Sequence, residues 1–353
     1  MTEPAKACRE IERELCDIWA DVLGVSVQPH DDFFDLGGTS LKAIGAVASA
    51  RERGIALSSL AVFRNPTPAQ LAERLTVGTL TAADPTLDVP VPDVLKAPGS
   101  GAQAAGRTLS PLGGDDAGDP LFLVPSEQFC DIEREAACAW ETGRPVYALS
   151  LQVLPGVQAE SATVAGLAQC FLDELCEIQA EGPCHLAGVG SGAVLAFELA
   201  RQLRERGREV ARLVMIKPAA LPEEPIDFDS ALHHRLAVVA KRFGLTGAES
   251  AERVLALLRQ EGWYEADTGP ADLGRLQRIA AGVACALSRY RPQPYDAPVV
   301  LLQDEREAQQ VKETWGTVLS DCRTHWFEYG LEWFGPLLRD PRVAEVMKAE
   351  LLT

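Results

Sequence analysis

Residues 188–192 read Gly-Val-Gly-Ser-Gly. The apolar run His185-Leu186-Ala187 precedes them, and a helical pattern from Val194 to Leu203 follows. Strand, tight glycine turn and helix are the surroundings in which a Gly-x-Ser-x-Gly motif presents an attacking hydroxyl. The middle position of that motif is Gly190 here, so the place built for a nucleophile holds no nucleophilic atom. Ser191 stands next to it, but a register that uses Ser191 sets Val189 and Ala193 where the turn needs glycine. Cys184 is roughly 20 Å from the turn at ~3.3 Å per residue, out of reach. Cys130 is a third weak alternative, though a lone cysteine is ordinarily a small apolar core residue. A second serine, Ser40, follows Gly37-Gly38 and opens a helical run. Its hydroxyl either caps that helix or offers a modifying enzyme an exposed handle.

The elements that hold these residues follow from periodicity. Ile11, Leu15, Ile18, Trp19 and Val22 share one face of a helix over 8–24. Further helical runs cover 41–53 and 57–63, and Pro66-Thr67-Pro68 opens a last one. Together they make a small helical bundle. Residues 76–118 are rich in Pro, Gly, Ala, Asp and Thr and carry no aromatic residue, the composition of a flexible linker. From Pro120 onward strands alternate with helices. The strands are expected at 121–124, 145–151, 184–188, 209–216, 298–302 and 323–329, which implies a mostly parallel α/β sheet. A mostly helical insertion over about 221–290 would cap the carboxyl ends of the strands, where such sheets bind ligands.

The chain has 353 residues, a net charge of −18 at pH 7 and 47% hydrophobic residues, enough for two domains with a sizeable core. An acidic chain argues against nucleic acid and anionic membrane surfaces as partners. The nine cysteines show neither zinc spacing nor a disulfide framework, which fits a reducing cytoplasm. The first fifteen residues are charged throughout, unlike a signal peptide, and no apolar run approaches the ~20 residues of a membrane span. Of the five histidines, His30 lies in a loop of the bundle, while His185 and His325 are expected to pack on strands. His233 and His234 sit in the helical insertion, where they could face the cleft, though a solvated surface pair is the expectation, and adjacent residues on a helix make a poor metal pair. No metal site is expected.

The run Asp35-Leu36-Gly37-Gly38-Thr39-Ser40-Leu41-Lys42-Ala43, with Val62-Phe63-Arg64-Asn65-Pro66-Thr67 downstream, resembles the peptidyl carrier (thiolation) domain of nonribosomal peptide synthetases. The resemblance covers residues 8–76 and implies an all-α four-helix carrier bundle. It also implies that Ser40 bears 4′-phosphopantetheine, whose thiol holds an acyl or aminoacyl thioester. A second resemblance runs from about 119 to 350, through Pro120-Leu121-Phe122-Leu123-Val124, Arg144-Pro145-Val146-Tyr147-Ala148-Leu149, Ile178-Gln179-Ala180-Glu181-Gly182-Pro183 and Tyr290-Arg291-Pro292. These segments are similar to the thioesterase domain that ends many such synthetases. That family is an α/β-hydrolase with a helical lid, and it cleaves the carrier-bound thioester with a Ser, His and Asp triad.

Carried over by position, the nucleophile falls on Gly190. The acid falls on Lys217, a cation of the wrong sign, or one strand later on Asp304. The histidine falls on Glu332, or on Phe334 in a slightly later register. The family's first loop, a His-Pro-x-Gly-Gly type of turn, reads Pro125-Ser126-Glu127-Gln128-Phe129. The expected organisation is a carrier over 1–77, a linker over 78–118 and a thioesterase-like domain over 119–353. The expected function is a carrier protein of nonribosomal peptide or antibiotic biosynthesis, whose second domain is a pseudoenzyme that shields or presents the intermediate. A phosphopantetheinyl transferase would modify it, and adenylation, condensation or tailoring enzymes would act on it in trans. The alternative is rewired chemistry in which an amine attacks the thioester, with Asp304, Glu332 or Glu127 as general base. A third option is a relic domain that only stabilises the carrier.

Overall fold

A computed structural model describes the chain except at positions 1, 2, 39, 54, 56–61, 63, 64, 77–90, 97–108, 115–117, 128–130, 150–158, 223, 261, 262, 265–267, 306, 307, 329–334, 352 and 353. The chain divides into two compact units, residues 1–91 with 236–247 and residues 92–235 with 248–353.

The first unit holds helices α1 (Glu3–Leu23), α2 (Ser40–Glu52) and α3 (Pro68–Thr76). Leu15, Ile18 and Trp19 are fully buried on α1, as the periodicity requires, while Ile11 and Val22 are only partly buried. Gly24 ends α1 at φ 76 and donates its N–H to Ala20 O at 2.9 Å, the left-handed cap that glycine supplies best. Phe33 packs edge-on against Trp19 with ring centroids 4.7 Å apart. Ala43, Ala46, Val47 and Ala50 of α2 and Leu71 and Ala72 of α3 close this core. The helix expected over 57–63 lies outside the described residues apart from Val62, which is buried.

The second unit is built on a seven-stranded sheet of order β1-β3-β2-β4-β5-β6-β7. The strands are β1 (Leu109–Gly113), β2 (Leu121–Val124), β3 (Val146–Leu149), β4 (Cys184–Val189), β5 (Val210–Ile216), β6 (Val299–Asp304) and β7 (Cys322–Phe327). All pairings are parallel except β1 with β3. Side chains alternate between two apolar layers. Phe122, Val124, Leu186, Leu213, Met215, Val299 and Leu301 face one layer. Leu121, Leu123, Ala187, Val189, Val214, Ile216, Val300 and Leu302 face the other. The first layer is covered by α6 (Val164–Ile178) and α7 (Ser191–Glu205), the second by α5 (Asp131–Ala139), α12 (Gly335–Leu338) and α13 (Pro341–Leu351). Covering both faces explains why the parallel strands read as unbroken apolar runs.

The stretch read as a linker over 78–118 is partly structured. Helix α4 (Asp93–Lys96) buries Leu95, and β1 pairs antiparallel with β3. Its proline and glycine content does not prevent this, because β1 is an edge strand. An edge strand tolerates a proline such as Pro111, and the register shifts between Pro111 and Gly113. The insertion over about 221–290 carries α8 (Phe228–Arg242), α9 (Ala251–Gln260) and α10 (Leu273–Arg289), and α11 (Ala308–Trp315) follows β6. Val283, Ala286 and Leu287 of α10 join the layer that contains α7.

Candidate functional site

The site forms where β2, β4, β5 and β6 end. β4 lies at the middle of the sheet, with Val124 of β2 level with Gly188 and Ile216 of β5 level with Val189. Between Val189 and the first residue of α7, the chain turns through Gly190 at φ 58 and ψ −120, a conformation that strains any residue with a Cβ. Gly190 N–H donates to Ile216 O at 2.9 Å, and its carbonyl accepts from Ala193 N at 3.2 Å and Ala219 N at 2.9 Å. The flanking glycines are fixed by space. A Cβ on Gly188 would stand 2.4 Å from Gly192 O, and one on Gly192 would stand 2.1 Å from Val124 O. The three glycines thus set the register of the turn. Gly190 occupies its apex, and Ser191 is the first residue of the helix.

Ser191 is buried, and it does not point to an open cleft unpaired. Its Oγ donates to Glu127 Oε2 at 2.5 Å and accepts from the backbone N–H of Glu127 at 3.1 Å. Glu127 lies on the loop after β2. In the same loop Ser126 N–H donates to Oε1 of the fully buried Glu133 at 3.0 Å. Gln128, Phe129 and Cys130 lie outside the described residues.

Lys217 follows β5 at φ 43 and donates its N–H to Leu302 O at 2.7 Å. A non-glycine residue in that region is uncommon and marks a turn imposed by its surroundings. Asp304 is the last residue of β6, buried, and level with Phe327 of β7. Glu332 and Phe334 lie outside the described residues. Among the remaining groups, burial raises the Cys184 thiol at the far end of β4, partly opposed by Arg208 beside it. Burial, reinforced by Arg144, pushes His185 down to about 4. His234 is half-buried, not on a solvated face, and burial pushes it down to about 4 as well. His30 is exposed, and His325 on β7 lies 3.8 Å from Glu350. Among the described residues no His, Cys, Asp or Glu cluster has the makings of a metal site, and no helix is long and apolar enough to cross a membrane.

In the first unit, α2 begins at Ser40, which places the serine in the first turn and not at the capping position. Gly37 turns at φ 85, and Gly38 N–H donates to Phe33 O at 2.8 Å. A Cβ on Gly38 would meet the Phe33 ring at 2.2 Å, so this turn needs glycine to bring the helix start against the buried aromatic. The described turn leads to a serine at a helix N-terminus, a fit for a group attached through a phosphate.

Two residues of this region were not singled out in the sequence. Glu133 has no local signal beyond its place in an amphipathic helix. Glu198 interrupts the apolar run Val194-Leu195-Ala196-Phe197 on α7, and that interruption is the signal that a partner waits for it.

Comparison with known proteins finds two family matches. Residues 13–75 match the phosphopantetheine attachment site family, and residues 145–315 match the thioesterase domain family. A dimodular nonribosomal peptide synthase from Bacillus subtilis (strain 168) is 28% identical over 280 residues, covering 70% of this chain and 11% of the synthase. Chondramide synthase from Chondromyces crocatus is 33% identical over 202 residues, covering 56% of this chain and 5% of that protein. The chain therefore spans a small part of the curated relatives it matches. A crystal structure of a holo four-domain nonribosomal peptide synthetase bound to AMP and glycine shares the fold. The TM-score is 0.53 and the identity 22%, over 96% of this chain and 26% of that one. The chain carries a phosphopantetheine-binding carrier domain, which implies a covalent 4′-phosphopantetheine cofactor, and a thioesterase domain of α/β-hydrolase fold, and its relatives include nonribosomal peptide synthetases.

Proposed function

We propose that the chain is a holding protein of nonribosomal peptide assembly. Ser40 is the attachment position, and the second domain keeps the fold of a thioesterase without its serine chemistry. The attached group supplies a thiol on a long flexible arm, which carries an acyl or aminoacyl cargo. Being on one chain with the second domain raises the effective concentration of that cargo at its site. There the cargo is sheltered or offered to a tailoring or condensing enzyme acting in trans. The modifying enzyme, a phosphopantetheinyl transferase, would read the turn Gly37-Gly38 and the start of α2.

The observation that carries this reading is Gly190 at the apex of the elbow, φ 58 and ψ −120, with no side chain to attack. Lys217 at the end of β5 supports it, since a cation beside a developing imidazolium opposes proton transfer. The test is intact-protein mass spectrometry of the holo chain loaded with a set of aminoacyl groups. The expected result is slow loss of cargo, unchanged in Ser191→Ala, with no acyl adduct on residues 119–353. Rapid loss with a covalent adduct in that range overturns the reading.

One observation favours a second reading. The Glu127 carboxylate reaches the elbow, 2.5 Å from Ser191 Oγ. There it could take the proton from an amine attacking the thioester carbonyl, with the carrier thiol as leaving group. Added amine would then speed release, and Glu127→Gln would remove the acceleration.

A further inference from the structure

We infer that Ser191 and Glu127 fill the seat that stabilises an oxyanion in a hydrolytic elbow, so that this site is closed to acyl transfer by a second device besides the missing nucleophile. The inference rests on Gly190 being the nucleophile position and deepens that reading.

An elbow of this type draws its oxyanion donors from two places. One is the backbone N–H of the residue after the nucleophile, and the other is an N–H of the loop after a neighbouring strand. The residue after Gly190 is Ser191. β2 is the hydrogen-bonded neighbour of β4, and its loop begins Pro125-Ser126-Glu127. Pro125 has no N–H. Ser126 N–H is given to Glu133 Oε1 at 3.0 Å, and Glu127 N–H is given to Ser191 Oγ at 3.1 Å. Among the described residues of that loop, both N–H donors are therefore spent. The atom that takes the Glu127 N–H is a hydroxyl oxygen from the residue after the apex, so it stands where a carbonyl oxygen would have to come. The same hydroxyl donates to Glu127 Oε2, which leaves a carboxylate beside the seat, the wrong neighbour for a developing negative charge.

The pairing is held from both sides. Glu133 is fully buried and fixes the loop from α5. Gly192 brings the start of α7 so close that a Cβ there would stand 2.2 Å from Pro125 O, so loop and helix are packed without slack. Ser191 and Glu127 are positioning residues, and restoring a side chain at position 190 does not by itself restore an oxyanion hole.

The test needs a nucleophile that works without a base. In the full chain, Gly190→Cys supplies a thiol, and its acylation by S-phenyl thioacetate is compared with its alkylation by iodoacetamide. In the first reaction the thiolate sulfur attacks the carbonyl carbon and thiophenolate leaves, through an oxyanion; the second has none. Peptide mass mapping reads both at position 190, with exposed Cys138 as the internal reference. For Gly190→Cys the acylation-to-alkylation ratio should lie within about twofold of that at Cys138. Adding Ser191→Ala should raise it tenfold or more, since one oxyanion donor is worth about 10²–10³ in rate. A ratio already tenfold above Cys138, or one that Ser191→Ala leaves unchanged, overturns the inference. Hydrogen exchange on Ser191→Ala with Gly190 intact gives a second readout. Peptides spanning 121–127 should exchange at least tenfold faster, and unchanged protection is equally decisive against the latch. Neither measurement uses cargo. Failure here leaves the holding function standing, and self-acylation of the native chain overturns that function without moving these ratios.

Discussion

Tyr290 donates its phenolic O–H to Glu198 Oε2 at 2.8 Å, which ties the residue that ends α10 to the helix that leaves the elbow. Glu198 is 1% exposed and also accepts from Arg201 Nη2 at 2.7 Å, Arg201 Nε at 2.9 Å and Gln202 Nε2 at 2.8 Å. Four donors satisfy both oxygens, the condition under which a buried charge is tolerated. Burial alone would raise this carboxyl. The hydrogen bonds from Arg201, Gln202 and Tyr290 outweigh it and hold the group below its ordinary 4.5. Burial, with the charge of Glu198, pushes the Tyr290 phenol up.

Glu198→Ala should therefore destabilise the second unit by about 3 kcal/mol, because it leaves a buried phenol without its acceptor and Arg201 with Glu205 alone. Tyr290→Phe should cost only about 1 kcal/mol, since three donors remain on the carboxylate. Urea unfolding of the full chain checks both. The pH window follows from the sign. The folded group titrates below 4.5, so its contribution is full above pH 4.5 and is lost as pH falls through the depressed folded value. Glu198→Gln should flatten the fall in stability over that acid range, and an unchanged slope would show that the network carries no linkage.

His185 predicts a different window. It is 5% exposed on β4, and burial, then Arg144, push it down to about 4 from 6.5. Between those values the unfolded chain binds the proton and the folded chain does not, so stability is full above about pH 6.5 and falls toward pH 4. The loss approaches about 3 kcal/mol at ~1.4 kcal/mol per pH unit. His234, also held near 4, adds in the same direction. His185→Leu should remove its share of the slope while leaving cargo retention unchanged, since the residue sits at the end of β4 away from the elbow. Equilibrium unfolding near pH 5 and pH 7.5 measures it. A slope identical in the variant means His185 does not stay neutral when folded.

The sequence carried the sheet because both its faces are covered. Leu121-Phe122-Leu123-Val124 and Leu213-Val214-Met215-Ile216 are unbroken apolar runs that only a buried strand explains. It did not carry β1, whose Pro111 and Gly113 look like linker until an edge position makes them acceptable. The elbow was legible because three glycines at alternate positions have a steric reason. Glu198 with Arg201 and Gln202 was readable as a local spacing, but Tyr290 lies 92 residues away. The pair of Glu127 with Ser191 spans 64 residues. It exists because β2 lies beside β4, and no periodicity states that order. The helical pattern left His233 and His234 between the cleft and a solvated face; their half-burial comes from packing that such a pattern does not reveal.

The elbow glycines make an ordered prediction. Gly192→Ala sets a Cβ 2.1 Å from Val124 O and 2.2 Å from Pro125 O, both backbone atoms that cannot step aside. Gly188→Ala meets Gly192 O at 2.4 Å and Ala193 Cα at 2.5 Å. Each should cost about 3 kcal/mol or more, by overpacking against main chain. Gly190→Ala faces backbone strain at φ 58, worth about 1–2 kcal/mol. Gly45 supplies the opposite case. It lies inside α2 with nothing within 4 Å of its Cβ position, so Gly45→Ala should stabilise the first unit by about 0.5–1 kcal/mol. Urea midpoints rank the four variants. If position 190 proved as intolerant as 188 and 192, the turn would need glycine there for space. The loss of the nucleophile would then be a demand of packing, and the idea that chemistry alone was given up at an otherwise intact elbow would fail.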